Sequence, residues 1–207
     1  MFHKEILNDK QTELLPLISE FKREYYLVGG TAIALYIGHR RSIDFDLFKF
    51  STLNRKKNLD KITSHGYKPI VSWNVTDQMN LIVNEVKLTF FQYPFQIKAD
   101  NVFEGIIRIP DLLDLTAMKA YALGRRSKWK DYVDLFFLLN DKFSMNEISD
   151  RASLIYGDMF SDKLFRSQLS YFEDVDYSEE VEYIIPTPPS DEEIKDRLVS
   201  ISTNIKL

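Results

Sequence analysis

Residues 27–48 read LVGGTAIALYIGHRRSIDFDLF, and this stretch decides the fold. Tyr25 to Val28 is a short apolar run that meets Gly29-Gly30, the pattern of a strand entering a tight turn. Thr31 to Ile37 carries Ala32, Ile33, Ala34 and Leu35, which pack well on a helix, and Gly38 is placed to end it. From Ser42 to Phe48, Ile43, Phe45 and Leu47 alternate with Ser42, Asp44 and Asp46. That alternation predicts a strand with one apolar and one polar face.

Two residues apart on a strand, Asp44 and Asp46 point to the same face, a few ångströms from each other. Like charges so close repel and raise each other's pKa. A magnesium ion offsets this cost, since Mg²⁺ takes oxygen ligands and is usually held by one or two carboxylates plus substrate phosphates. Taken alone, an Asp-x-Asp pair is more often a solvated face than a metal site. The upstream turn changes the balance. Gly29 and Gly30 end a strand and open a helix, where backbone N–H groups and the helix N-terminus can face a phosphate, and Thr31 adds a hydroxyl donor. A simple strand-to-helix turn is the plain alternative for the glycines, but the combination puts an anion cradle and a metal site on successive elements.

Outward from this unit, Leu14, Leu15, Leu17, Ile18 and Phe21 recur at helical spacing. Leu53 to Ser64 reads as a basic surface helix. Tyr67 to Val71, Met79 to Asn84, Glu85 to Phe91 and Ile106 to Ile109 read as strands, with Asn84-Glu85 as a turn between the middle two. Past Pro110 the pattern turns helical: Asp111 to Arg126, Lys130 to Leu139, Glu147 to Tyr156 and Asp162 to Tyr171. An acidic stretch, Glu173 to Glu182, and Pro186-Thr187-Pro188-Pro189 precede a last helix with Ser190 as N-cap. Strands followed by helices predict an α+β fold, a mixed sheet flanked by helices with a helical C-terminal half. The expected division is an α/β core over 1–110 and a helical region over 111–207.

The chain has 207 residues, a net charge of −4, 15 Phe, 11 Tyr and no cysteine. It can bury a sizeable core and excludes disulfides, thiolate zinc sites and cysteine nucleophiles. Neither a signal peptide nor a run of about 20 apolar residues is present, which predicts a soluble cytoplasmic protein without membrane contact. The small net charge confines any nucleic-acid contact to local patches. Arg40-Arg41 and the Arg125 to Lys130 cluster are two such patches, either solvated faces or contacts for a triphosphate or RNA backbone. Within the second, Trp129 is either a base-stacking surface or a buried anchor. His39 fits a phosphate contact or a structural histidine equally, and His3 and His65 show no zinc pattern. Lys119 has mostly uncharged helical neighbours and either snorkels to solvent or reaches a functional pocket. Asp131 and Asp134, three apart, share a helix face.

The stretches Leu27 to Ala32 and Gly38 to Phe48, then Asp114 to Ala120 and Arg125 to Leu135, resemble the signature of AbiEii-type nucleotidyltransferases, the toxin components of type IV toxin–antitoxin and abortive-infection systems. The resemblance extends over nearly the whole chain. It implies a polymerase-β-like nucleotidyltransferase fold and transfer of a nucleotidyl group from an NTP to an acceptor hydroxyl. Mg²⁺ is implied on Asp44 and Asp46, the triphosphate on Gly29, Gly30 and Thr31 with Arg40 beside it, Lys119 on phosphate, and Asp131 at or near the chemistry. It further implies a cognate antitoxin partner and, since some relatives modify tRNA ends, an RNA acceptor. One departure stands out. Many nucleotidyltransferases carry a third carboxylate on a later central strand, and Val86-Lys87-Leu88-Thr89-Phe90-Phe91 contains none. The competing expectations are a catalytically inactive nucleotide- or RNA-binding module of the same fold and a structural partner protein.

Overall fold

A computed structural model describes residues 2–204 of the chain. The chain divides into two compact units, residues 1–111 and 112–207. The first contains helices α1 (Asp9–Ser19), α2 (Gly29–Ile37) and α3 (Arg55–Ser64), and strands β1 (Tyr26–Val28), β2 (Phe45–Lys49), β3 (Ile70–Asn74), β4 (Gln78–Val83), β5 (Val86–Gln92), β6 (Asn101–Phe103) and β7 (Ile107–Ile109). The seven strands form one sheet in the order β3-β4-β5-β2-β1-β7-β6. β1 runs antiparallel to β2 and parallel to β7, and β2 runs parallel to β5. The α+β class and the mixed sheet are as the sequence pattern predicts.

One face of the sheet is the core of this unit. Phe45 and Leu47 of β2, Leu88 and Phe90 of β5, and Met79 and Leu81 of β4 are fully buried. Phe21, Tyr25 and Phe90 meet there edge to face, with ring centroids 4.9–5.9 Å apart, an arrangement suited to the aromatic quadrupole. The Tyr25 hydroxyl accepts from Asn58 Nδ2 of α3 at 2.8 Å, and burial pushes the phenol up to about 12. α1 starts on a reciprocal cap in which Asn8 and Gln11 each satisfy the other's backbone N–H.

Element boundaries differ from the sequence pattern in informative places. α2 starts at Gly29 rather than Thr31, so both glycines lie in its first turn. β2 starts at Phe45 and leaves Asp44 at the strand entrance, its carbonyl accepting a hydrogen bond from the Thr31 hydroxyl. β3 begins at Ile70, just after Pro69, which has no N–H to give a ladder. The Asn84-Glu85 turn is real, with both residues at positive φ (50° and 66°), the pair of left-handed residues that a two-residue hairpin turn requires. β6 lacked a sequence signal, because a three-residue strand with two exposed positions shows no alternation.

The second unit is helical: α4 (Leu112–Leu123), α5 (Trp129–Asp141), α6 (Met145–Tyr156), α7 (Asp162–Leu169) and α8 (Asp191–Thr203). Its core includes Tyr132, Leu135, Ile148, Phe165, Ile194 and Leu198. Ser144 with Glu147, and Ser190 with Glu193, close reciprocal capping boxes on α6 and α8. The acidic stretch returns to the basic cluster: residue 128 bridges residue 176, Trp129 N–H donates to the Asp176 carbonyl at 3.0 Å, and Glu179 pairs with Lys128 and Lys130. Among the described residues no helix is long and apolar enough to cross a membrane.

Truncating Phe90 would empty the centre of the first unit's aromatic cluster. Phe90→Ala is expected to lower stability by about 3–5 kcal/mol, read as a drop in the urea midpoint at unchanged m-value.

Candidate active site

The register of β1 against β2 builds the site. Val28, the last residue of β1, lies opposite Asp46. The carboxylate of Asp46 therefore stands beside the first residue after the strand, Gly29. Gly29 has φ +74°, and a Cβ there would collide with Asp46 Oδ2. Glycine serves two purposes at this position: it adopts the left-handed backbone and it leaves room for the carboxylate. Gly30 is less constrained: its φ is ordinary, and a Cβ on it would come within 2.8 Å of Arg40 Nη2 and 3.1 Å of Ser42 Oγ, both ends of side chains.

Thr31 is buried, and its Oγ1 lies 2.9 Å from Ser42 Oγ as well as on the Asp44 carbonyl. Its hydroxyl thus holds the chain that delivers Asp44. Gln11 Nε2 fastens the same loop by donating to the Ser42 carbonyl at 2.8 Å. Arg40 is also buried, and its Nη1 donates to the Arg41 carbonyl at 2.8 Å. No side chain caps α2. A helix N-terminus of this kind, next to a guanidinium, is an anion-binding arrangement. Gly29, Gly30, Thr31, Arg40, Asp44 and Asp46 are all brought to one end of β1 and β2. His39, next to Arg40 in the chain, is buried as well.

β5 lies next to β2, with Thr89 beside Asp46. No acid stands on β5. Instead Lys87 Nζ is 3.9 Å from Asp44 Oδ2, a pair open enough to solvent that its own contribution to stability is small. Among the described residues no group of three or more acids or histidines could cage a metal. Two carboxylates beside an anion-binding turn do fit Mg²⁺, which completes its shell with water and substrate phosphates. Gly29 supports that fit, because the absence of a Cβ lets the Asp46 carboxylate lie directly against the turn.

Lys119 and Asp131 belong to the second unit, where they form one ionic cluster. Lys119 Nζ is 2.6 Å from Asp131 Oδ1 and 2.8 Å from Asp134 Oδ2, and Arg126 Nε donates to Asp131 Oδ2 at 2.9 Å. Lys119, Asp131 and Asp134 are only 5%, 2% and 0% exposed. Burial alone would raise the Asp131 carboxyl. The Lys119 and Arg126 charges, with the Lys119 hydrogen bond, outweigh it and hold the group below the usual carboxylate range. Asp134, which by its i+3 spacing shares a helix face with Asp131, is a full partner here. Asp114 is likewise buried and takes both oxygens to Arg151, tying α4 to α6. Trp129 is the buried anchor of its two readings, its Nε1 donating to Asp191 Oδ1 at 3.1 Å.

The sheet, the glycine turn and the carboxylate pair define a nucleotidyltransferase-type fold. Among solved structures, MenT4, a nucleotidyltransferase toxin from Mycobacterium tuberculosis, matches with a TM-score of 0.65 at 16% identity, over 93% of this chain and 80% of its own. JHP933 from Helicobacter pylori matches with a TM-score of 0.58 at 18% identity, over 98% and 92%. An uncharacterised protein of Aquifex aeolicus is 30% identical over 162 residues, 73% of this chain and 75% of the relative. The family model described as nucleotidyl transferase AbiEii toxin, type IV TA system, matches residues 17–197. The chain belongs to this AbiEii family of nucleotidyltransferase toxins.

Three outcomes are expected. Gly29→Ala must move either the turn or Asp46, so a crystal structure of the variant will show the distance between residue 29 and the Asp46 carboxylate increased. Lys119→Met takes this cation from buried Asp134 and leaves Asp131 with Arg126 alone, and should cost about 3–5 kcal/mol, measured by chemical denaturation. The depressed Asp131 group stabilises the fold above the ordinary carboxyl range and loses that contribution as pH falls through its folded value. Asp131→Asn should therefore flatten the fall in stability below about pH 4.

Proposed function

We propose that this protein transfers a nucleotidyl group from an NTP to an acceptor hydroxyl in a Mg²⁺-dependent reaction, as the toxin of a type IV toxin–antitoxin pair in the cytoplasm. The observation that carries this reading is the approach of Asp46 to Gly29, which joins a metal-ligand pair to an anion-binding turn. Asp44 and Asp46 hold the ion, which when bound supplies charge neutralisation at the triphosphate. The first-turn amides of α2, at Gly29 and Gly30, take phosphate oxygens, and Arg40 adds its guanidinium beside them. Thr31 positions the Asp44 loop.

The acceptor oxygen attacks the α-phosphorus, the bond from that phosphorus to the bridging oxygen of the β-phosphate breaks, pyrophosphate leaves, and the hydroxyl proton passes to solvent. Two of the three Lys119 N–H donors go to Asp131 and Asp134. Asp131 orients Lys119 and Arg126. A carboxyl held below its ordinary range is a poor proton acceptor near neutral pH, so Asp131 serves as a positioning residue. Lys87 and Thr89, standing where a third acid would serve, favour the alternative of a nucleotide-binding module without turnover.

Labelled NTPs with Mg²⁺ and total RNA, tRNA included, separate the two. Transfer should appear and fall by about two to three orders of magnitude in Asp44→Asn and Asp46→Asn, with both variants folded by circular dichroism. NTP binding with no transfer to any RNA or protein would establish the module instead.

A further inference from the structure

At the end of β2 remote from Asp44, the buried face carries a charge where an apolar side chain would close the core. Phe45, Leu47 and Lys49 are the inward residues of the strand, and Lys49 is only 5% exposed. Its Nζ makes no hydrogen bond among the described residues. Glu24 Oε2, its ion-pair partner, stands 3.6 Å away, beyond hydrogen-bonding distance. The centre of the Tyr25 ring is 4.9 Å from the same nitrogen, an attraction that supplies no lone pair. An ammonium group has three donors and is strongly hydrated in water. Burying it with none of them satisfied is costly.

Two further lysines converge on the same carboxylate. Lys57 Nζ donates to Glu24 Oε1 at 2.6 Å, and Lys61 Nζ is 3.6 Å from that oxygen. Both belong to α3 and, at i and i+4, share one of its faces. Lys61 is fixed further by donating to the Glu20 carbonyl at 2.6 Å and by lying over the Phe21 ring. Three ammonium groups thus face one acid, an excess of two positive charges. Among the described residues no other acid pairs with any of the three. The Lys57 hydrogen bond and the three charges hold the Glu24 carboxyl below its usual range. Lys57 is half exposed, so the cluster opens onto the surface.

We propose that Lys49, Lys57 and Lys61 form an oxyanion site of the phosphate class, separate from the carboxylate pair and the glycine turn. Phosphate oxygens give Lys49 the acceptors that the chain does not, and their negative charge cancels the local excess. Lysine suits the task as a compact point charge on an oxygen. Asp44 and Lys49 lie five residues apart, roughly 17 Å of extended chain. Asp46 and Lys49 point to opposite faces of the sheet. The site therefore shares no residue with the glycine turn, and it stands whether or not the chain transfers nucleotides. Two sources carry this chemistry: free phosphate, and the phosphates of a polynucleotide passing α3.

Proton–nitrogen correlation NMR of the lysine ammonium groups reads this site apart from any other phosphate contact. Inorganic phosphate, titrated against sodium chloride at equal ionic strength, should move the Lys49, Lys57 and Lys61 signals together to saturation. Lys49→Met should weaken phosphate binding, read at the Lys57 and Lys61 signals, roughly ten- to a hundredfold, with the fold checked by circular dichroism. Lys57→Ala, a surface change that the fold tolerates, should weaken it roughly two- to fivefold. Glu24→Gln removes the competing charge and should tighten it. A ten-nucleotide single-stranded RNA is the second probe. If it moves the same signals at a lower concentration than inorganic phosphate does, a polynucleotide is the ligand; otherwise the free ion is. Signals that neither probe moves, or an affinity unchanged in Lys49→Met or in Lys57→Ala, overturn the site.

Discussion

The approach of Asp46 to Gly29 is the constraint around which the first unit is arranged. It requires β1 to end one residue before the glycine and to pair with β2 so that Val28 faces Asp46. A slip of one residue would turn every side chain of β2 over. Phe45 and Leu47 would then leave the core, and Asp46 would enter it. The buried face of β2 therefore enforces the placement of its polar face. The hydroxyl of Thr31 adds a second lock, since it fixes the carbonyl of Asp44 while α2 begins. Hydrophobic packing sets the register, and the register sets the position of the charges.

That logic explains what the sequence made legible. The alternation from Ser42 to Phe48 predicted the strand, and the glycine pair predicted the turn, because both depend on local periodicity and backbone freedom. The approach of Arg40 to Gly30 was not legible, since it depends on how a loop folds back on a helix. Thr31 was read as a donor toward a ligand, yet its hydroxyl lies on the Asp44 loop. The fold class was open to reading from the order of strands and helices, and β6 was lost because three residues show no period.

The second unit shows a different use of charge. Lys119, Asp131 and Asp134 are withdrawn from water and satisfied by one another. Such clusters add little net stability over well-packed apolar side chains, but losing one member is costly. Arg126 extends the network to the surface, with just over half of its side chain exposed. The basic run after α4 is largely committed in the same way, because Glu179 of the acidic stretch covers Lys128 and Lys130. A charge run that reads as a docking patch in sequence is here paired within its own unit.

The strand order also bears on how the chain matures during synthesis. Both carboxylates have been made by residue 46, but β1 acquires its parallel neighbour only when Ile107–Ile109 emerges. Pairings between segments so distant in the chain form late, since loop closure must precede them. A nascent polypeptide shorter than this has the glycine turn on a sheet edge, with one flank unsupported. For a member of a toxin family, that ordering delays a rigid glycine turn until nearly all of the first unit exists.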